Sequence, residues 1–275
     1  MTIGIEPPID VAPASHRLQR MVFDHGSGDQ NMREQVSRLM ALAVRALAEM
    51  YQPDEQHFPQ TMRGVRSSEG PQLRPEGDNL RYAAIVALGL AASPRVSQKY
   101  VLAGSEASEF AHLVAARAVG REDPGVVALA AWAAAEAAGR VAEELFDDLA
   151  LRVASNVSMH TVDISWALSA AIAARDLGDT ADLASTLANR LLRAAEPSGV
   201  FPHTVPAVAQ SKVRRHVGCF ADQVYPIQAL SRWFKVSQDP TSLAVANRCA
   251  RNIVDRQGPD GQWWWHYDVR NGSVV

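Results

Sequence analysis

Two segments of this chain, Val126–Ala138 and Ile164–Ala174, carry apolar residues or alanine on every side. A helix of that composition has to be buried all round. Each is followed by a helix of a different kind. In Ala181–Ala195, Leu183, Leu187, Leu191 and Leu192 form one stripe, while Asp182, Asn189, Arg190 and Arg193 face away. Ala142–Ala154 is the one-sided partner of the first buried segment. A fully buried helix followed by a helix with one side in water, repeated, implies two layers. Alanine suits the inner layer because small side chains let backbones approach closely.

The rest of the chain keeps the helical period, with no convincing alternating strand. Met32–Tyr51, Asn79–Ala92, Ser108–Val119, Ile164–Asp176, Gln223–Val236 and Thr241–Arg256 join the segments above, about nine helices with boundaries good to about 2–4 residues. Residues 1–30, rich in proline, glycine and polar side chains, read as a loosely ordered arm before a domain over 31–275. The inner helices open alike, on Asp78, Asp123, Asp163 and Asp222, at spacings of 45, 40 and 59 residues. Such periods belong to solenoids and closed arrays; the insertion Pro197–Gly218 explains the longest. Inner and outer helices in alternation describe an all-α fold of the α/α-toroid class.

Composition excludes several roles. With 275 residues, 47% hydrophobic and 21% charged, the chain can bury one large core. A formal charge of −3 offers no global attraction to nucleic acid or an anionic membrane. No apolar run reaches the roughly 18–20 residues that cross a bilayer; Val126–Ala138 is shorter and contains Glu136. Acids and prolines stand where a signal peptide needs a basic region and an apolar core, so the cytoplasm is the expected location. Cys219 and Cys249 need no disulfide framework. No glycine-rich phosphate loop appears, and no cofactor is expected.

The segment Gln257-Gly-Pro-Asp260-Gly261-Gln-Trp263 resembles the QW repeat of terpenoid cyclases and protein prenyltransferases, which are α/α toroids. In that superfamily the Gln and Trp fasten consecutive hairpins, which implies packing for Trp263. Six-hairpin glycosidases and sugar epimerases share the scaffold, often with similar Asp-Gly-x-Trp turns. A closed toroid of this kind commonly uses about twelve helices, against about nine here. The resemblance therefore implies a partial toroid, missing its last helices or completed by self-association or a partner.

In such a scaffold the loops entering the inner helices gather at one mouth. Four are rich in chemistry: Arg63–Asp78; Ser158–Asp163 with His160; Val200–Asp222 with His203, Lys212, Arg214, Arg215, His216 and Cys219; and Gly258–Gly272 with Trp264, Trp265, His266 and Asp268. An Asp at a helix start can be a cap and nothing more, and Asp123 before a proline, like Asp78, reads that way. Asp163 and Asp222 have His, Trp166 and Tyr225 as neighbours and suggest a cavity as well. As a pair they would serve as general acid and as base or charge stabiliser. Three consecutive tryptophans cannot all enter one core from an extended segment; as the resemblance assigns Trp263 to packing, Trp264 or Trp265 is left to line the mouth, where an aromatic face binds a sugar or a cation, the alternative being that all three pack between helices. Arg214 and Arg215 can clamp an anion or simply be solvated. The histidines lie on separate loops without metal spacing, so no metal is expected. Cys219, near His216, is a nucleophile in principle, but a lone Cys entering a helix reads first as a small buried hydrophobe.

The resulting expectation is a carbohydrate-active enzyme (hydrolase, lyase or epimerase) acting on a small molecule or oligosaccharide. Its catalytic residues would be Asp163 and Asp222, with His160, Trp166, His203, Arg214, Arg215, Tyr225, Trp264, Trp265, His266 and Asp268 binding substrate. The alternatives are an isoprenoid enzyme, weakened by the lack of Asp-x-Asp-Asp and Asp-Asp-x-x-Asp motifs, and a non-catalytic helical scaffold.

Overall fold

The computed structural model describes residues 29–68, 70–212 and 214–275. The expected N-terminal arm lies outside the described residues up to position 28, and Asp29 already belongs to a helix. The chain forms two compact units, one ending at Phe110 and the other running Ala111–Val275.

The first unit holds α1 (Asp29–Met50), β1 (Pro59–Ser67), β2 (Gly70–Asp78), α2 (Leu80–Ala91), α3 (Arg95–Val101) and the start of α4 (Ala107–Ala118). The antiparallel pairing of β1 with β2, Arg63 opposite Arg74, corrects the expectation of no strands and replaces the expected Arg63–Asp78 loop. Both strands are largely exposed on both faces, so no buried row imposes an apolar alternation that a sequence could display. Tyr51, Phe58 and Phe110 pack ring against ring at 5.1–6.0 Å. Asn79, rather than Asp78, caps α2 by accepting from the Arg81 N–H.

In the second unit the two layers are explicit. The inner helices α5 (Pro124–Ala138), α7 (Thr161–Ala174) and α9 (Ala221–Ser237) pack in sequence, α7 touching both others. Outside them lie α6 (Glu143–Ala154), α8 (Ala181–Ala194) and α10 (Pro240–Val254), each against its inner neighbour, with α8 touching both other outer helices. In α5 every residue from Gly125 to Ala135 is buried, whereas α6 buries Leu145, Phe146 and Leu149 alone. Asp123 caps α5 through the Gly125 N–H, Pro124 takes the first helical position, and left-handed Gly139 ends the helix. One outward residue is corrected. Arg190 is half-buried rather than free in solvent: its guanidinium donates to the carbonyls of Val157 and Val205, tying α8 to the segments before α7 and α9.

The described residues contain ten α-helices, one more than expected, because the seven-residue α3 is too short to show a period. None is long and apolar enough to cross a membrane.

Candidate functional site

The site is assembled at the N-termini of α7 and α9. Just before α7, Met159–His160 (β3) pairs antiparallel with Thr204–Val205 (β4), Met159 opposite Val205. The Thr161 N–H donates to the His203 carbonyl at 3.0 Å, and the Thr161 hydroxyl donates to the Pro202 carbonyl. These bonds fix His203 over the first turn of α7.

Before α9, Val217–Cys219 (β5) pairs with His266–Asp268 (β6), Cys219 opposite His266. Fully buried Asp222, in the first turn of α9, accepts the Cys219 N–H at 2.7 Å. The same carboxylate holds His203 Nδ1 at 3.0 and 3.2 Å. His160 lies against the other ring, with centroids 4.4 Å apart. A continuous chain of contacts, His160 to His203 to Asp222, therefore joins the starts of two inner helices.

Gln223 locks the frame. Its amide accepts the Phe201 N–H at 2.7 Å and donates to the carbonyls of Phe201 and Cys219. It thus serves the loop as a second backbone would. Gly218 is obligatory there, since a Cβ would fall 2.2 Å from the Phe201 oxygen.

The electrostatics follow from the contacts. Hydrogen bonding to Asp222 and then to Cys219 pushes the His203 imidazole from 6.5 up to about 10, against the opposing effect of burial. His203 is therefore a held cation near neutral pH rather than a proton shuttle. Asp268 is pushed down to about 2 by its hydrogen bond to Arg270, the two meeting at 2.5 Å. Cys249, buried in the core, is pushed up to about 12 by desolvation.

Of the residues singled out by sequence, His160, His203 and Asp222 come together. Asp163 is buried in the first turn of α7, and Trp166, one turn on, meets Tyr225 of α9 edge to face at 5.1 Å. His266 stands opposite Cys219. Trp263 stacks on Phe220 at 5.5 Å, the Trp264 indole donates to the Arg256 carbonyl, and Trp265 is 75% exposed beside the start of α9, its carbonyl accepting the Phe220 N–H. Arg214 and Arg215 lie on a short 3-10 turn with His216, and Asp268 is engaged by Arg270. Cys219 corrects its expectation: it is half-buried at the His203–Asp222 contact, and Cys249 is the fully buried cysteine. Sequence reading missed Gln223 and, having weighed Cys219 in the same loop, set it aside as a buried hydrophobe. The one available signal was their place in the Gly218–Gln223 run before an apolar helix.

His203 Nδ1, the Cys219 sulfur and an Asp222 oxygen all lie within 4.8 Å of one another. Two surface grooves lie elsewhere, one of about 800 Å3 along α10 and one of about 510 Å3 beside α8 with Arg190 and Arg193. Neither is lined by His203, Cys219 or Asp222, although the second includes Pro202 and Val205 on either side of His203.

No protein-family model matches the chain, and no curated protein does. Solved structures do. An unsaturated glucuronyl hydrolase specific for heparin aligns over 83% of this chain and 69% of its own, at 15% identity and a TM-score of 0.56. Cellobiose 2-epimerase from Spirochaeta thermophila DSM 6192 aligns over 86% and 72%, at 14% identity and the same TM-score. The fold is an α/α toroid. At these identities the likeness concerns architecture, and the chemistry has to be argued from the side chains.

Proposed function

We propose that this chain is a carbohydrate-active enzyme, of hydrolase, lyase or epimerase type, working at the N-termini of α7 and α9. The observation that carries the reading is the His160–His203–Asp222 chain; a second acid, Asp163, is buried in the first turn of α7. Two carboxylates in different surroundings suit two roles. Asp222, saturated by the His203 ring and the Cys219 N–H, holds charge and orientation. Asp163 is assigned to proton transfer. His203 presents a fixed positive donor to a sugar hydroxyl or carboxylate, and the exposed Trp265 supplies a face for a pyranose ring. That both fold relatives are named for reactions on sugars supports the substrate class.

The test is turnover of heparin-derived unsaturated disaccharides and of cellobiose by the wild-type chain and by Asp163→Asn. Wild type should turn over one class. The variant should lose at least a factor of about 10²–10⁴, the usual contribution of a positioned acid or base, with its melting temperature nearly unchanged. Activity surviving in a destabilised variant sinks the assignment of Asp163. The terpenoid-cyclase reading draws on the turn in which Gln257 donates to the Gly261 carbonyl beside Trp263. A melting shift with farnesyl or geranylgeranyl diphosphate and none with sugars would favour it. Silence to both would favour a binding scaffold.

A further inference from the structure

We propose that His203, Cys219 and Asp222 form a binding site for a zinc-class divalent cation, with one coordination position left open. The inference concerns metal binding at residues to which the sugar reading also gives roles; with a cation bound, His203 is a neutral ligand rather than a charged donor.

The donor set comes first. One imidazole nitrogen, one sulfur and one carboxylate oxygen converge from separate parts of the chain. Imidazole and thiolate favour zinc and its neighbours over magnesium or calcium, which prefer an all-oxygen shell. Around a tetrahedral zinc with bonds of about 2.0–2.3 Å, ligand atoms lie about 3.3–3.6 Å apart. His203 Nδ1 and the Asp222 oxygens, at 3.0 and 3.2 Å, already have nearly that separation. With all three donors within 4.8 Å, about 1 Å of side-chain movement closes the widest gap.

Each ligand is also held in place before any cation arrives. The His203 carbonyl is bonded to the Thr161 N–H, the Cys219 carbonyl accepts from Gln223, and Asp222 stands in a helical turn that returns a bond to the Cys219 N–H. These bonds fix the backbone of two ligands and one carboxylate oxygen of the third. Binding replaces the proton shared between His203 and Asp222 with the cation. The histidine proton and the thiol proton leave to solvent. Three protein ligands leave a fourth position for water or a substrate hydroxyl, the arrangement of zinc sites that do chemistry. Asp222 is fully buried, and the half-buried His203 and Cys219 give the cation its way in. Sequence reading found no metal spacing because the ligands fall as His203, then sixteen residues on Cys219, then Asp222, which repeats no known ligand pattern.

Cobalt(II) makes the test direct. Titrated into the full, chelator-stripped chain, it should saturate at one equivalent with a thiolate-to-cobalt charge-transfer absorption, which zinc should abolish by displacement. Cys219→Ser should lose that absorption and bind zinc more weakly by more than the roughly 10–100-fold that loss of an outer-shell partner costs. Cys249→Ser should keep it. Should Cys219→Ser fail to fold by circular dichroism, alkylation of the wild-type chain takes over: zinc should protect Cys219 from iodoacetamide. The proposal is overturned by no saturable cobalt binding, by binding without thiolate absorption, by absorption that survives in Cys219→Ser, or by alkylation of Cys219 indifferent to zinc. None of these outcomes depends on whether a sugar is turned over.

Discussion

His203 carries the clearest consequence at the scale of single residues. The groups facing it are Asp222 and Cys219 from the α9 side and His160 from the α7 side. Its folded value of about 10 lies above the ordinary 6.5, so the stabilisation it brings is complete below pH 6.5 and is lost as pH rises through about 10. In the metal-free chain, its ring resonances in an NMR titration should keep the imidazolium shift past pH 8. In Asp222→Asn the transition should drop back toward 6.5. A wild-type transition near 6.5 would mean that Asp222 does not govern the ring. Asp163 and Asp222 were legible as acids at inner-helix starts, and Asp222 is the one brought to His203. Cys219 and Gln223 were not legible as site residues, since a thiol at a loop end and an amide on a helix acquire their roles from partners many residues away. Gln223 reaches back to Phe201, across an insertion whose path no local pattern encodes.

Among the elements, the four aspartates expected to open helices have separated into different jobs. Asp123 is a cap, bonded to the Gly125 N–H ahead of a buried helix. Asp78 ends a strand opposite Pro59 and leaves capping to Asn79. Asp163 and Asp222 lie inside the first turn. Asp123→Ala should therefore cost about 1 kcal/mol in urea denaturation while leaving kcat unchanged. A loss of kcat at full stability would move Asp123 into the site. Helices with a buried face announced themselves through their period. The hairpin of β1 and β2 did not, being wet on both faces, and α3 is shorter than two full turns.

Across the molecule as a whole, stability follows the layers. Leu168 sits fully buried in α7, the inner helix that packs against α5, α9 and α8. Leu168→Ala should cost about 2–5 kcal/mol in the same denaturation experiment. Leu151→Ala, on the outer α6 and 66% exposed, should stay within about 0.5 kcal/mol. Equal costs would contradict the assignment of inner and outer helices. The layering was readable because all-round and one-sided hydrophobicity are properties of each helix alone.

The long loop before α9 is fastened at both ends, at Phe201 and His203 on entry and at Val217–Cys219 on exit. Its middle is thus an exchangeable cassette. Changes in length or charge between Pro206 and Arg215 should leave the histidine and the carboxylate in place as long as Gln210 keeps its bond to the Thr204 hydroxyl. Each doubling of such a segment costs only about 0.6 kcal/mol of closure entropy. Selection for a new ligand would find its cheapest raw material there, with His203 and Asp222 left where they are.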